Sequence, residues 1–163
     1  MRKSMIMILL AVVLPSAAAA QSKEYRGKGY VFVAPTVFTE VGGALNFGGG
    51  GEGLVYKGLG VGGEVGYLSP IERLSEGIGL FSINGSYNFR RSERVSPFLT
   101  GGPALALGRG ANSALMNLGG GLHWWFKDRI GLRFEVRDHF TPESGASHAI
   151  SFRIGLAFPV IRS

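Results

Sequence analysis

Apolar and polar residues alternate with period two along most of this chain. In "HAISFRIGLAF" (148–158), Ile150, Phe152, Ile154, Leu156 and Phe158 alternate with Ala149, Ser151, Arg153, Gly155 and Ala157. In "RIGLRFEVRD", Ile130, Leu132, Phe134 and Val136 alternate with Gly131, Arg133, Glu135 and Arg137. Such a period puts one set on each face of a β-strand and is incompatible with a helix. Earlier, Phe81, Ile83, Tyr87 and Phe89 oppose Ser82, Asn84, Ser86 and Asn88, and Leu59, Val61, Val65 and Tyr67 oppose Gly60, Gly62, Glu64 and Gly66. One face is greasy; the other carries charge and glycine.

The pattern predicts eight strands, at 29–37, 44–56, 59–68, 78–89, 96–107, 114–126, 130–139 and 148–158. The first is the least patterned, because "YVFVAPTV" is apolar on both faces. The spans suit the roughly 9–11 residues of a tilted membrane strand. Connectors alternate as well. "YKGL", "RRSERV" and "KDRI" are tight and charged; those near 39–43, 69–77, 108–113 and 140–147 are longer and polar. Short turns at one end and longer loops at the other are the layout of an all-β, eight-stranded antiparallel up-and-down transmembrane barrel, with the short turns periplasmic. Strands descending to the short turns end on outward aromatics: Tyr87 and Phe89, Trp124 and Phe126, then Phe158. These predict an aromatic girdle at one membrane interface.

Composition supports that layout. Mean hydropathy is +0.20, yet beyond the first twenty residues no run of 18 uncharged apolar residues occurs. The opening "MRKSMIMILLAVVLPSAAAAQS" has a basic start, an apolar stretch from Met5 to Leu14 and Ala18-Ala19-Ala20 as a cleavage motif. It reads as a secretory signal peptide cut after Ala20, leaving 21–163 as the barrel domain with nothing appended. Loss of Arg2 and Lys3 takes the formal charge from +6 to +4. That excess is too mild and dispersed for nucleic-acid binding. The absence of cysteine means an exported protein built without disulfides.

A shift of 71 residues lays "NFGGGGEGLVYKGLGVGGEVGY" (46–67) on "NLGGGLHWWFKDRIGLRFEVRD" (117–138) without a gap. It keeps Asn46/Asn117, Gly60/Gly131, Glu64/Glu135 and Val65/Val136, and sets Phe81, Ile83 and Tyr87 on Phe152, Ile154 and Phe158. Eight strands follow from doubling a four-stranded meander. This repeat disposes of a tempting motif. Gly58, Gly60 and Gly63 fit G-x-G-x-x-G, but the stretch opens a strand, no helix pattern follows, and its repeat partner has lost two of the three glycines. Gly60, Gly62 and Gly66 are expected where the interior is crowded, and 48–51 likewise, with a bulge.

If Phe and Ile face lipid, Glu52, Glu64, His123, Arg133, Glu135, Arg137 and Arg153 face the lumen. Eight strands enclose only enough room for side chains, and an isolated buried ion costs several kcal/mol. The expectation is an internal salt-bridge network that plugs the lumen; the alternative is a narrow, porin-like ion or solute path lined by the same residues. His123, His139 and His148 lack metal-site spacing, so no metal and no cofactor is expected. Glu143, Ser144, Ser147, His139 and His148 gather near the last long loop, where a barrel hydrolase or lipid A- or phospholipid-modifying enzyme would place them; polar loop chemistry is the plainer reading. Arg90, Arg91 and Arg94 form a solvated turn or touch inner-leaflet phosphates. A soluble lipocalin-like barrel would reverse the faces.

"SPFLTGGPALALG", "NLGGGLHWWF", "DRIGLRFEVRDHF" and "ISFRIGLAF" resemble the small outer membrane β-barrel protein family, the eight-stranded barrels of outer membrane protein A type. The resemblance covers essentially all of 21–163, and "GLRFEVRD" is its most specific piece. It implies a Gram-negative outer membrane location among phospholipid and lipopolysaccharide, insertion by the barrel-assembly machinery, a monomer, and no catalytic residue. Family members usually end on an aromatic assembly signal. Here Phe158 fits that part, followed by "PVIRS", where Pro159 is expected to stop the strand and leave a periplasmic tail. The function expected is a non-enzymatic structural or surface-interaction role.

Overall fold

The computed structural model describes residues 25–38, 43–90, 92–108, 112–142 and 147–162. The signal-peptide segment and Glu143 and Ser144 lie outside them. Eight strands follow in chain order: β1 Tyr25–Phe38, β2 Gly43–Tyr56, β3 Leu59–Pro70, β4 Ile78–Asn88, β5 Val95–Leu107, β6 Asn112–Lys127, β7 Ile130–Phe140 and β8 His148–Arg162. Each pairs antiparallel with the next, and β1 pairs with β8, so the sheet closes on itself without an edge. Among the described residues no helix is long and apolar enough to cross a membrane.

The period-two pattern becomes two surfaces. Val31, Val33, Val61, Val65, Ile83, Val136, Phe152 and Ile154 are exposed outside, while Phe32, Glu64, Asn84, Arg137 and Arg153, on the opposite parity, are buried in the lumen. A surface so uniformly apolar would be ruinous in water and is what hydrocarbon requires. Its short-turn end carries Tyr87, Phe89, Trp124, Phe126 and Phe158, all outward, with Tyr87 and Phe89 in edge contact at 4.7 Å and Trp124 and Phe126 at 6.3 Å. Tyr56 joins them, 61% exposed.

Two connections are two residues long, Lys57-Gly58 and Asp128-Arg129, and in the first both residues take positive φ (36° and 92°). That is a hairpin turn whose twist matches the flanking strands. Gly58, Gly60 and Gly63 thus belong to a hairpin, with no helix N-terminus to hold an anion. At the other end the β3–β4 connection contains the 3-10 turn Leu74–Glu76. It is pinned by the Tyr67 hydroxyl, which donates to Leu74 O (2.9 Å) and accepts from Gly77 N (3.0 Å).

The two halves share their hydrogen-bond register as well as their sequence. Gly50 pairs with Glu64 and Gly121 with Glu135; Val65 pairs with Phe81 and Val136 with Phe152. All four positions move by 71 residues, and so do the register shifts, at Leu54/Tyr56 and Trp125/Lys127.

Three expectations need correction. First, β1 begins at Tyr25, four residues before the alternation became legible. Second, β8 does not stop at Pro159: Lys28 pairs with Pro159, Gly27 with Ile161 and Tyr25 with Arg162, across two register shifts. The last β7 partner of β8 is Ala157, so beyond it one side of β8 has no ladder to complete. That is the edge condition in which a proline is tolerated. Third, 48–51 holds no bulge, since pairing runs unbroken through it on both sides. The glycines there serve space alone: a Cβ on Gly50 would lie 2.8 Å from the Tyr30 hydroxyl.

Candidate functional site

The charged interior is assembled from glycines, which leave space, and long side chains, which fill it. A Cβ at Gly60 would lie 2.6 Å from Ser86 Oγ and 2.7 Å from Glu52 Oε1; one at Gly119 would sit 3.1 Å from Glu135 Oε1. Glycines like these on β2, β3 and β6 leave the room that the lumenal arginines and glutamates fill.

At mid-height, Glu64 of β3 and Glu135 of β7 are shared among three guanidiniums. Glu64 receives Arg153 Nη2 at 2.6 Å and Arg137 Nη1 at 3.1 Å. Glu135 receives Arg137 Nη2 at 2.5 Å, Arg133 Nη2 at 3.0 Å and Arg153 Nη1 at 3.3 Å. All five residues are buried, Arg137 completely. The Tyr30 hydroxyl donates a further bond to Glu64 Oε2 at 2.9 Å. Carboxylates accepting this many charge-assisted bonds offset the desolvation that a lone buried ion would suffer.

Aromatic faces complete the cations' surroundings. The Arg153 guanidinium lies 3.5 Å from the Phe32 ring centre, and that of Arg133 is held between Tyr30 (4.2 Å) and Phe98 (4.1 Å). This explains the doubly apolar first strand: Val31, Val33 and Val37 face outward, while Tyr30 and Phe32 are the inward platforms on which arginines stack.

Nearer the short turns, Arg133 Nη1 lies 3.0 Å from His123 Nε2, whose ring stacks on Trp125, which in turn meets Tyr25. Lys28 donates to Asn88 Oδ1 (2.6 Å) and pairs with Glu52 at 3.4 Å, and Asn88 Nδ2 donates to Glu52 Oε1 at 2.6 Å.

The structure therefore brings Glu64, Arg133, Glu135, Arg137 and Arg153 into one cluster with His123 at its foot, and places Glu52 in a separate pair with Lys28. Sequence reading missed Lys28, because it lay just outside the strand drawn from residue 29. Its parity with Tyr30, Phe32, Ala34 and Thr36 was the available signal. Trp125 was missed too, hidden between two lipid-facing aromatics, whereas Asn84 and Asn88 are buried on the polar face that the alternation gave them.

Of the residues near the last long loop, His139, Ser147 and His148 border one chamber at the long-loop end of the lumen, while Glu143 and Ser144 lie outside the described residues. His139 is buried in the lumen, whereas His148, one parity over, meets Asp138 at 2.7 Å. Among the described residues no group of three or more potential ligands could hold a metal.

A closed eight-stranded barrel, apolar outside and packed with charge inside, defines a transmembrane β-barrel of the smallest common size. Comparison with solved structures agrees on the architecture. The chain is similar to the N-terminal β-barrel domain of Pseudomonas aeruginosa OprF, with TM-score 0.58 and 12% identity over 83% of this chain and 100% of that one. It is equally similar to Neisserial surface protein A (0.58, 13%, 82% and 96%) and to a de novo designed transmembrane barrel (0.58, 15%, 83% and 98%). No family model and no curated protein matches the sequence. One of these three neighbours is a design, so the likeness speaks to architecture and not to activity.

Proposed function

We propose that this chain is a non-enzymatic integral outer membrane protein of a Gram-negative bacterium, with a structural or surface-interaction role. In this reading, residues 1–20 direct export and are removed after Ala20, and Phe158 is the signal by which the barrel-assembly machinery takes up the chain. The short turns face the periplasm and the long loops the exterior. The ionic cluster is a plug rather than a path. The observation that carries this reading is the double clamp on Glu64, where Arg137 of β7 and Arg153 of β8 reach across to β3 and leave the carboxylate 6% exposed. Ions crossing there would have to strip both guanidiniums from their carboxylates.

Fractionation and electrical recording test it together. The chain is expected in the outer membrane fraction, resistant to carbonate and heat-modifiable in gel mobility, with no unitary conductance in planar bilayers. Release by carbonate would remove the membrane assignment. Conductance abolished by Arg133→Ala or Arg153→Ala would make the cluster a channel, and lipid A modification lost in His148→Ala would make the protein an enzyme.

A further inference from the structure

The lumen changes character toward the long loops. Above the ionic cluster a chamber of about 220 Å³ opens between two unlike walls. Strands β3 to β6 line it with Leu68, Ile78, Leu80, Ala106 and Leu115, and Phe38 adds to this apolar side. Facing them, β7, β8 and β1 present His139, Ser151 and Thr36 in the floor. Ser113, Thr141, Ser147 and His148 stand around it at the strand ends. Among the described residues that line the chamber none is acidic, and only the two histidines can carry charge. Were filling the lumen the whole requirement, a larger side chain would stand at Ala106.

Two observations point to an anion. First, the cluster beneath is not neutral. Arg133, Arg137 and Arg153 are shared by Glu64 and Glu135, three cations to two anions, whereas Lys28 and Glu52 balance each other nearer the short turns. The surplus reaches the chamber floor. Arg137 is the cross-strand partner of Ser151, and it lies two residues before His139 on the inward face of β7. Second, His139 is 6% exposed, yet no described residue hydrogen-bonds its ring, and its nitrogens are not sealed from the chamber it borders. Its neighbours have partners already: Thr36 and Ser151 bond each other at 2.8 Å, and His148 holds Asp138 at 2.7 Å. An imidazole offers an N–H in either protonation state. A buried donor beside surplus positive charge, with no carboxylate in the lining to compete, is suited to an anionic oxygen.

The apolar wall sets the rest of the molecule. An apolar cavity of about 150 Å³ takes up benzene, so about 220 Å³ holds a body of that size together with a carboxylate. We infer that the long-loop half of the lumen binds a small apolar monocarboxylate, one carboxylate on a single ring or a short alkyl body. The carboxylate accepts the His139 N–H, and the body lies against Leu68, Leu80, Ala106 and Leu115. Ser113 and Ser147 are exposed, so a solute reaches the chamber from the long-loop end. This inference concerns the folded barrel alone and stands or falls separately from localisation or conductance.

The test is equilibrium dialysis at pH 7 with the full chain folded in phosphatidylcholine nanodiscs, read against barrel-free nanodiscs. Three probes of one shape are used: benzoate, benzamide and benzylammonium. The expected result is saturable one-to-one binding of benzoate, binding of benzamide at least about fivefold weaker, and no saturable binding of the ammonium. His139→Ala weakens benzoate by at least about fivefold, and Ala106→Phe abolishes its binding. Heat-modifiable mobility verifies that each variant is folded; should either fail to fold, the benzoate to benzamide ratio of the unsubstituted chain decides. Benzoate uptake no greater than in barrel-free discs, a benzoate preference or a His139→Ala loss smaller than expected, saturable binding of the ammonium, or benzoate binding that survives in a folded Ala106→Phe would each overturn the inference.

Discussion

Arg137 of β7 places Nη1 3.1 Å from Oε1 and 3.2 Å from Oε2 of Glu64 on β3, across the full width of the lumen. No local pattern joins these residues, yet they tie one half of the barrel to the other. Each is also the partner of a second ion, so neither can be removed without leaving another buried and short of a partner.

Glu64→Gln should therefore destabilise the barrel by about 3–5 kcal/mol, the range for breaking a buried pair by removing one partner. Unfolding by urea in lipid bilayers measures it. Glu76→Gln is the control, because Glu76 pairs with Arg73 on the exposed β3–β4 connection and should lose no more than about 1 kcal/mol. Equal effects would show that the cluster is not a structural clamp.

Glycine in the lumen is predicted to be a steric requirement. A Cβ at Gly62 would overlap the carbonyl oxygen of Gly51 and lie 3.1 Å from Glu52 Cα, whereas at Gly53 the nearest atom is 4.0 Å away. Gly62→Ala should cost about 1–3 kcal/mol, and Gly53→Ala should stay within about 0.5 kcal/mol. The same urea titrations distinguish them.

The outer surface gives a depth-dependent prediction. Phe152 is 55% exposed, midway along the stretch of β8 from His148 to Ala157 that pairs with β7. Phe152→Arg should cost about 2–4 kcal/mol, and Tyr56→Arg, beside the short turn, about 0–1 kcal/mol. Stabilities measured in bilayers should keep that order. Equal costs at both depths would contradict a hydrocarbon environment.

The end of β8 separates assembly from stability. Phe158→Ala should slow conversion to the heat-modifiable form in proteoliposomes carrying the assembly machinery. Deleting 159–163 leaves Phe158 terminal and should not slow it. The deletion does remove the pairing of Lys28, Gly27 and Tyr25 with β8. Amide exchange across 25–28 should then accelerate relative to the rest of β1.

Much of this molecule is written in short-range order. Side-chain period in a strand is fixed by the pleat, so alternation alone separated the lipid face from the lumen face. Strand number, the short and long connections and the 71-residue repeat followed from reading that alternation to its ends. Where one face was not distinctive, reading failed. In the first strand, apolar on both faces, the pattern assigns no side to Tyr30 and Phe32; the stacking of Arg133 and Arg153 on them does. Lys28 lies beyond a boundary set by apolar residues, and Pro159 reads as a stop because its unpaired flank is a matter of where β7 begins.

Sequence alone thus determined which residues could be lumenal, because facing is a property of each strand by itself. Tertiary closure decided which of them meet. It joined Glu64 to Arg137 and Arg153, set Glu52 apart with Lys28, and lined the long-loop half of the lumen with leucine and alanine. Those outcomes depend on register and on the curvature of the closed sheet, which arise only when all eight strands are paired.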